Sequence, residues 1–310
     1  LLASLLGVES QESVVRGQTR YIARLISHKD YLKQNKESDK KIEIREDASY
    51  LITGGTGALA NVYAKQLINE GAKNLILVSR HKPGENAKEQ IEQLREQGAN
   101  VVCMQGDVCD AESILRVIEE SSASMPPIRG VIHTAGVLQD KMMVELEWSE
   151  FQTVLEPKVA GTVHLYQAVK KKELDFFMML SSITSLIGNM GQANYGAANG
   201  FMNTFAAYLR KQNVLGCTFC WGPWSEGGMA VSNSAISNNL ERMGIKPIDK
   251  EQGQKMIEEF FQKPYKTLLL ADVDWDKLNN SMKQAIGKEE FLSELITKKV
   301  DIAPQSKQQD

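Results

Sequence analysis

The sequence predicts an α/β fold in which a doubly wound parallel sheet carries helices on both faces. From residue 48 onward, short apolar runs alternate with longer segments of helix length. The runs are nearly continuous in apolar residues, which indicates strands buried on both faces of a sheet. Because helix-length segments separate the runs, the strands are expected to be parallel.

Seven strands and four of the intervening helices can be placed from these patterns. The predicted strands are 50–53, 74–79, 100–104, 130–133, 176–180, 217–221 and 267–271. The predicted helices are 57–70, 86–97, 111–120 and 195–212.

The segments outside this alternating region are expected to be small or solvated. Residues 1–28 contain two β-prone runs around Gly17-Gln18, which predict a hairpin too small to bury a core alone. Residues 29–47 are rich in Lys, Glu, Asp and Asn and predict a solvated linker. The main domain is then expected over 48–277, followed by a helix or linker tail over 278–310. The chain starts with Leu1 rather than methionine, so we expect it to be a piece of a longer polypeptide.

The composition narrows the possible partners. Apolar residues make up 42% and charged residues 24% of the 310 residues, and the net charge is −3. That charge gives no electrostatic reason to expect nucleic acid or an anionic membrane as a partner. Cys217 and Cys220 have no second Cys or His pair nearby, so buried free thiols are expected rather than a metal site. Without a long apolar run or a signal-peptide pattern, a cytoplasmic location is expected.

A glycine-rich turn after the first strand predicts a nucleotide-binding loop. Gly54 permits a sharp turn, and Gly57 lets backbone amides approach a pyrophosphate at the start of the next helix. A lone glycine loop is a weak indication, but its place at the first strand–helix junction favours a Rossmann-type fold. The residues expected to contact the cofactor here are Thr53, Gly54, Gly55, Thr56, Gly57, Ala58 and Leu59.

The end of the second strand predicts a preference for NADPH over NADH. A site selective for NADH usually has an acidic residue here to hold the ribose 2′-hydroxyl. This chain has Ser79 and Arg80, and a guanidinium suits a 2′-phosphate; the alternative is that Arg80 is an ordinary surface arginine. Further cofactor contacts are expected from Asp107, Val108, His133, Ala135 and Gly136. Of these, His133 is expected to order local backbone rather than take part in chemistry.

A serine, a tyrosine and a lysine downstream of the loop predict a site for carbonyl reduction. Tyr195 would donate its proton to a carbonyl oxygen, and a nearby ammonium group, such as that of Lys158, would stabilise the phenolate. Ser182 would hydrogen-bond the same oxygen, and Asn199 shares a helix face with Tyr195 at spacing i, i+4. The hydride would come from the cofactor, so no metal is needed. Each residue alone has an ordinary structural explanation, but their order behind the loop favours a reaction site.

These motifs resemble the ketoreductase domains of modular polyketide synthases, within the short-chain dehydrogenase/reductase superfamily. In that family lysine and asparagine have exchanged places relative to stand-alone reductases. The resemblance therefore assigns the lysine role to Lys158 and a supporting role to Asn199. Residues 12–26 resemble the end of the family's structural subdomain, so a remnant of that subdomain is expected before the main domain. The matching segments, over about 48–277, include Thr53–Ala60, His133–Leu138, Pro157–Val159, Ser181-Ser182, Gly191–Tyr195, Ala197–Asn199 and Trp221–Trp224.

The resemblance implies NADPH-dependent reduction of a β-ketoacyl thioester carried by an acyl carrier protein, with neighbouring synthase domains as partners. Two alternatives stay open. One is a stand-alone reductase of fatty-acid or small-alcohol metabolism, against which Asn199 argues. The other is a catalytically silent scaffolding domain, against which the presence of Tyr195 and Lys158 argues.

The same resemblance bears on stereochemistry. Leu138-Gln139-Asp140 is similar to the Leu-Asp-Asp signature of B-type ketoreductases, although its middle residue departs from it. The tryptophan of the A type is absent. A D-configured (usually R) β-hydroxyacyl product is therefore implied, unless Asp140 is an ordinary loop acid. Residues 225–250 fit a mobile lid over the acyl chain. Substrate-side contacts are expected from Asp140, Gln192, Trp224 and Met229.

Overall fold

A computed structural model of the protein describes residues 13–34, 41–226, 234–262, 265–286 and 291–296. The chain forms two compact units. The first comprises 1–38, 241–245 and 273–310, and the second comprises 39–240 and 246–272. The positions of all predicted site residues fall within the second unit. The domain boundaries at 28, 47 and 277 stay predictions.

The secondary-structure elements are numbered along the chain. The strands are β1 (Ser13–Arg16), β2 (Thr19–Ile22), β3 (Ser49–Thr53), β4 (Asn74–Ser79), β5 (Asn100–Gln105), β6 (Ile128–His133), β7 (Phe176–Ser182), β8 (Gly216–Trp221), β9 (Ile245–Lys246), β10 (Thr267–Leu270) and β11 (Asp272–Val273). The helices are α1 (His28–Gln34), α2 (Ala58–Asn69), α3 (Glu85–Glu96), α4 (Ala111–Ser124), α5 (Trp148–Lys158), α6 (Ala160–Val169), α7 (Thr184–Ile187), α8 (Ala193–Lys211), α9 (Ser234–Arg242), α10 (Lys250–Gln262) and α11 (Trp275–Ile286). Among these described helices, none is both long enough and apolar enough to cross a bilayer.

The hairpin predicted near the start of the chain is present in the first unit. Strands β1 and β2 pair antiparallel with Arg16 opposite Thr19, so Gly17 and Gln18 form the turn. Gly17 has φ 61°, a left-handed conformation that glycine adopts without a Cβ clash. This prediction is confirmed.

Helix α1 occupies the start of the stretch predicted as a solvated linker over 29–47, and that linker stays a prediction. The Oγ of Ser27 accepts a hydrogen bond from the Asp30 N–H at 3.1 Å and caps the first turn. Farther along, in the second unit, Ile42 is buried. The cap residue Ser27 precedes this stretch, and the charged composition of the stretch itself concealed the apolar anchor Ile42.

The second unit is built on a seven-stranded parallel sheet, which confirms the predicted fold class. The strand order is β10-β8-β7-β6-β3-β4-β5, and every neighbouring pair is parallel. From β3 the chain adds β4 and β5 on one side, and then adds β6, β7, β8 and β10 in turn on the other side. Strands β3 and β6 are therefore neighbours at the switch point, where loops diverge at the carboxyl ends and leave a crevice.

Helices cover both faces of this sheet, as predicted. All residues of β3, β7 and β8 are buried, which explains their nearly continuous apolar sequences. On one face, α4, α6 and α8 pack over a core that includes Phe177 and Met179 of β7. On the other face, α10 brings the ring centroid of Phe260 within 4.1 Å of that of Phe219 in β8.

Helices α5 and α6, which the sequence patterns did not predict, meet just after Pro157. Proline has no N–H to continue the helical hydrogen bonding, and α5 ends one residue later at Lys158. Helix α6 begins at Ala160. The interruption places Lys158 at a helix end, where its side chain can turn toward the sheet.

The stretch 225–250, predicted to be a lid with few structural signals, is helical in part. Helix α9 lies within it, and Leu240 near the end of that helix is buried. Met229, which was predicted to contact the substrate, lies outside the described residues.

Gly130 in β6 is expected to tolerate no side chain. A Cβ there would lie 2.4 Å from Phe176 Cζ and 2.7 Å from Tyr50 Cδ1, two rings that stack. We expect Gly130→Ala to lower the free energy of unfolding in urea by about 1–3 kcal/mol, as overpacking does. The control is Gly200→Ala in α8, where a Cβ meets nothing within 4 Å. That control should raise stability by about 0.5–1 kcal/mol, and equal losses from both variants would contradict the packing argument.

Candidate active site

Two adjacent clefts open at the carboxyl edge of the sheet in the second unit. We call the first the nucleotide groove; it is lined by the predicted residues Gly54, Thr56, Ser79, Arg80, Asp107, Val108, Ala135 and Gly136. We call the second the reaction cleft; its lining includes Leu59, Leu138, Lys158, Ser182, Thr184, Gln192, Tyr195, Trp224 and Leu240. Leu59 thus lies on the reaction side rather than in the groove. The other predicted cofactor residues are buried behind the groove (Thr53, Gly55 and His133) or exposed at the start of α2 (Gly57 and Ala58).

The turn after β3 leaves the start of helix α2 open to an anion. Gly54 has φ 64°, and a Cβ there would lie 2.6 Å from Thr134 Oγ1. That hydroxyl donates a hydrogen bond to Thr53 O at 2.7 Å and holds the turn against the end of β6. Helix α2 begins after Gly57 with no side-chain cap, so its first backbone N–H groups are available to an anion. These features fit a dinucleotide cofactor.

Arg80 lies at the end of β4 in the nucleotide groove. The Ser79 hydroxyl donates to His81 O at 3.0 Å, and Gln105 Nε2 donates to Arg80 O at 2.9 Å. These bonds fix the backbone of the turn and leave the Arg80 side chain exposed. Ser79 is therefore engaged within the turn, while the residue that follows it offers a cation instead of the carboxylate usual in NADH sites.

His133 joins β6 to the end of α5. Its Nε2 lies 2.9 Å from Pro157 O, a group that can only accept, so Nε2 carries the proton and donates. Its Nδ1 then accepts from the Thr53 hydroxyl at 2.7 Å. Burial, and secondarily the nearby charge of Lys158, lower the pKa of His133 to about 3. The imidazole is therefore neutral near pH 7 and acts as a backbone brace.

Lys158 is buried between α5 and the sheet, with 2% of its surface exposed. Its Nζ donates to Leu180 O of β7 at 2.9 Å and lies 5.7 Å from the centroid of the Tyr195 ring. A Cβ on Gly136 would lie 2.8 Å from Lys158 Cε, so this glycine leaves room for the lysine stem. Burial lowers the pKa of Lys158 to about 7. The structure thus brings together a lysine and a tyrosine that are distant in sequence.

Tyr195 lies in the first turn of α8 and is partly exposed in the reaction cleft. Burial of the phenol raises its pKa to about 12, and the charge of Asp140 acts in the same direction. The side chains of Asn199 and Ser182 oppose this by lowering the pKa. The phenol is therefore protonated near neutral pH and can serve as a proton donor.

Asn199 is fully buried one turn after Tyr195. Its Nδ2 donates to Tyr195 O at 2.8 Å and stabilises the first turn of α8. Its Oδ1 is buried without a hydrogen-bond partner among the described residues. Asn199 supports the tyrosine from behind and does not line the cleft.

Ser182 and Asp140 belong to one hydrogen-bonded group. Ser182 Oγ donates to Thr184 Oγ1 at 3.2 Å, and Thr184 Oγ1 donates to Gln192 Oε1 at 3.2 Å. Gln192 Nε2 in turn donates to Asp140 Oδ1 at 3.0 Å. Thr184, which no sequence motif indicated, thus joins Ser182 to Gln192, and Gln192 continues to Asp140. The one sequence feature that could have indicated Thr184 is its position two residues after Ser182.

Trp224 forms one wall of the reaction cleft. Its indole packs on Gly253 of α10, where a Cβ would lie 2.3 Å from Trp224 Cη2. The ring centroid of Trp221 lies 4.8 Å away, and Trp221 Nε1 donates to the Tyr63 hydroxyl at 3.1 Å. Gly253 was also missed, although a glycine inside a helix is a signal of close packing.

A dinucleotide groove beside a serine, a protonated tyrosine and a buried lysine is typical of nicotinamide-dependent reductases with a Rossmann-type fold. Comparison with known proteins narrows this class. The KR domain family profile matches residues 48–226. The chain is 35% identical over 236 residues to the highly reducing polyketide synthase phiA of a fungus (Fungal sp.), covering 76% of this chain and 9% of that protein. It is 38% identical over 218 residues to the phenolphthiocerol synthesis polyketide synthase type I Pks15/1 of Mycobacterium marinum, covering 68% and 10%.

A solved structure agrees with these matches. The first ketoreductase of the tylosin PKS superposes with a TM-score of 0.77 at 29% identity, covering 94% of this chain and 61% of that one. The chain therefore belongs to the KR domain family, the ketoreductases of polyketide synthases, and the predicted resemblance is confirmed. It spans about a tenth of the length of the two synthases described above.

The buried ammonium of Lys158 predicts a specific pH dependence of stability. The unfolded chain holds this proton up to its usual pKa of 10.5, but the folded chain releases it near 7. The contribution of Lys158 to stability is therefore complete above pH 10.5, its pKa in the unfolded chain. It decreases as the pH falls and is lost below about pH 7, its pKa in the folded chain. We expect the unfolding free energy of wild type minus that of Lys158→Met to rise by up to ~1.4 kcal/mol per pH unit between about pH 7.5 and 9.5. Urea unfolding measures this difference, and a flat difference would refute the burial effect.

Proposed function

We propose that this domain reduces a β-ketoacyl thioester on an acyl carrier protein to the D-configured (R) β-hydroxyacyl thioester, with NADPH as the hydride donor. The observation that carries the proposal is the position of Lys158 Nζ, 5.7 Å from the centroid of the Tyr195 ring, in a cleft that also contains Ser182. A cation, a phenol and a hydroxyl beside a nucleotide groove suit carbonyl reduction. No observation favours a silent scaffold or a stand-alone reductase over this function.

The chain's own residues handle the proton and the developing charge. NADPH, when bound in the groove, supplies a hydride for the carbonyl carbon. Tyr195 transfers its proton to the carbonyl oxygen, so that C=O gains one hydride and one proton and becomes an alcohol. Ser182 donates a hydrogen bond to the same oxygen as negative charge develops there. Lys158 in its ammonium form stabilises the phenolate that Tyr195 leaves behind.

Two parts of the proposal rest on family resemblance. These are the configuration of the product and the identity of the partners. Asp140, the residue that matches the B-type signature, accepts a hydrogen bond from Gln192, which lines the reaction cleft. The similar proteins are large polyketide synthases, so an acyl carrier protein and neighbouring synthase domains are the partners we propose.

Tyr195→Phe tests the proposed acid. We expect it to lower kcat by about 10²–10⁴-fold, the usual contribution of a general acid. NADPH absorbance would be followed with a β-ketoacyl thioester, and the urea midpoint would show that the variant folds. Tyr208→Phe, at an exposed tyrosine of the same helix, is the matched control and should leave kcat unchanged. If the folded wild-type protein oxidises no NADPH in the presence of the thioester, the proposed function is wrong.

The stereochemical part is tested on the product of the same reaction. We expect chiral chromatography of the released hydroxy acid to give mainly the D enantiomer, because Asp140 matches the B-type signature. A mainly L product would contradict the B-type assignment while leaving the reductase function intact.

Arg80→Ala tests the choice of cofactor. Loss of a charge-assisted hydrogen bond to the 2′-phosphate should raise the Kd for NADPH by about 10–100-fold. The Kd for NADH should change by less than about 2-fold, because NADH has no phosphate at that position. Lys82→Ala, at another exposed cation two residues farther along, is the control. Equal weakening of both cofactors, measured by fluorescence titration, would contradict the assignment.

A further inference from the structure

A continuous series of side-chain hydrogen bonds joins helix α9 to Ser182, and most of it has no part in the reduction described above. It begins at Asn239 of α9, whose Nδ2 donates to Asn189 Oδ1 at 2.7 Å. Asn189 Nδ2 donates to Gln192 Oε1 at 3.0 Å. Thr184 Oγ1 donates to the same glutamine oxygen at 3.2 Å, and Ser182 Oγ donates to Thr184 Oγ1 at 3.2 Å.

The amide of Gln192 can take only one orientation in this series. Its Oε1 accepts from Asn189 and Thr184, while its Nε2 donates to Asp140 Oδ1 at 3.0 Å. A flipped amide would set its oxygen against the Asp140 carboxylate and its NH₂ against the amide nitrogen of Asn189. Because Gln192 is buried, water cannot satisfy the groups that such a flip would leave unpaired. The direction of each donor is therefore fixed from the Asp140 carboxylate outward to Asn239.

Thr184 holds the hydroxyl of Ser182 from two sides. Its backbone N–H donates to Ser182 Oγ at 3.2 Å, and its Oγ1 accepts the hydroxyl hydrogen. A hydroxyl that accepts a hydrogen bond is polarised and becomes a better donor. The Thr184 rotamer is fixed by the bond to Gln192. Ser182 has one hydroxyl hydrogen, so this hydrogen leaves Thr184 Oγ1 when Ser182 donates to a carbonyl oxygen. The Thr184 N–H bond still holds Ser182 Oγ in place at that point.

Helix α9 also reaches the reaction cleft directly. Leu240, the residue after Asn239, is 4% exposed and lines the cleft. Neighbouring residues of one helix turn move together. Leu240, which an acyl chain would contact, therefore moves together with Asn239, whose amide holds Asn189.

We propose that Asn189 is a positioning residue that couples the seating of helix α9 to the orientation of the Ser182 hydroxyl. This inference rests on the proposed function. When α9 lies in the position observed here, Asn239 holds Asn189 by a hydrogen bond. Asn189 in turn holds the Gln192 amide, whose oxygen accepts the hydrogen bond from Thr184. With α9 displaced, Gln192 loses that support and the serine hydroxyl is less well directed. An acyl chain that packs against Leu240 thereby helps to orient the hydroxyl that binds its own ketone.

A double-mutant cycle tests this coupling, with kcat measured on a β-ketoacyl N-acetylcysteamine thioester at saturating NADPH. We expect Asn239→Ala to lower kcat by about 5–10-fold, the effect of one lost hydrogen bond, with the KM for NADPH unchanged. In a Ser182→Ala background the same substitution should change kcat by less than about 1.5-fold, because the end of the series is gone. Asn238→Ala, at an exposed position on the same helix, is the control and should leave kcat unchanged.

Equal fold losses from Asn239→Ala in both backgrounds would overturn the inference, because a general structural defect would add to the loss of Ser182. A kcat for Asn239→Ala equal to that of Asn238→Ala would overturn it as well. Wild type that reduces no thioester would show instead that the proposed function is wrong. In that case, urea unfolding of Asn189→Ala, Asn239→Ala and the double variant tests whether the two asparagines are energetically coupled. Additive losses of stability refute the link, and non-additive losses support it.

Discussion

The burial of the Lys158 ammonium group is the constraint on which the carboxyl edge of the sheet depends. Moving such a charge out of water costs several kcal/mol, so its surroundings have to be fixed closely. The hydrogen bond from its Nζ to Leu180 O anchors it to β7, and Gly136 leaves space for its stem. The neutral imidazole of His133 braces the preceding residue without adding a second charge. The lowered pKa of the lysine is the direct result of this enclosure.

The three side chains that we propose to react are held by regular elements rather than by long loops. Ser182 ends β7, Lys158 ends α5, and Tyr195 lies in the first turn of α8. Strand β7 is buried along its whole length, and α5 and α8 each pack a buried face against the rest of the unit. The relative positions of the three side chains are therefore set by the packing of the core. Side chains on such elements are placed more accurately than side chains on loops. The nucleotide groove depends on the same sheet, because its turn is fastened to the end of β6 by Thr134.

The parts of the fold that could be predicted are those with a local sequence pattern. Buried strands such as β4 show as apolar runs, and the turn at Gly54 shows as glycines between a strand and a helix. The pairing of Lys158 with Tyr195 came from resemblance, because no local pattern records a contact across such a separation in sequence. Asn239 was missed for the same reason, because its partner Asn189 is 50 residues away. Thr184 and Asn189 bond partners near in sequence, but no motif marks a hydroxyl or amide that makes such a bond. Helix α1 was missed because its charged composition concealed the serine cap.

The absence of a side chain at Gly253 has a meaning beyond local packing. The indole of Trp224 rests directly on the backbone of α10 there, so the outer helix sets the position of this wall of the reaction cleft. A residue that never meets the substrate can therefore determine how bulky a substrate fits. Changes in substrate range during evolution, or by design, can arise from the second layer of the protein while every residue that lines the cleft stays the same.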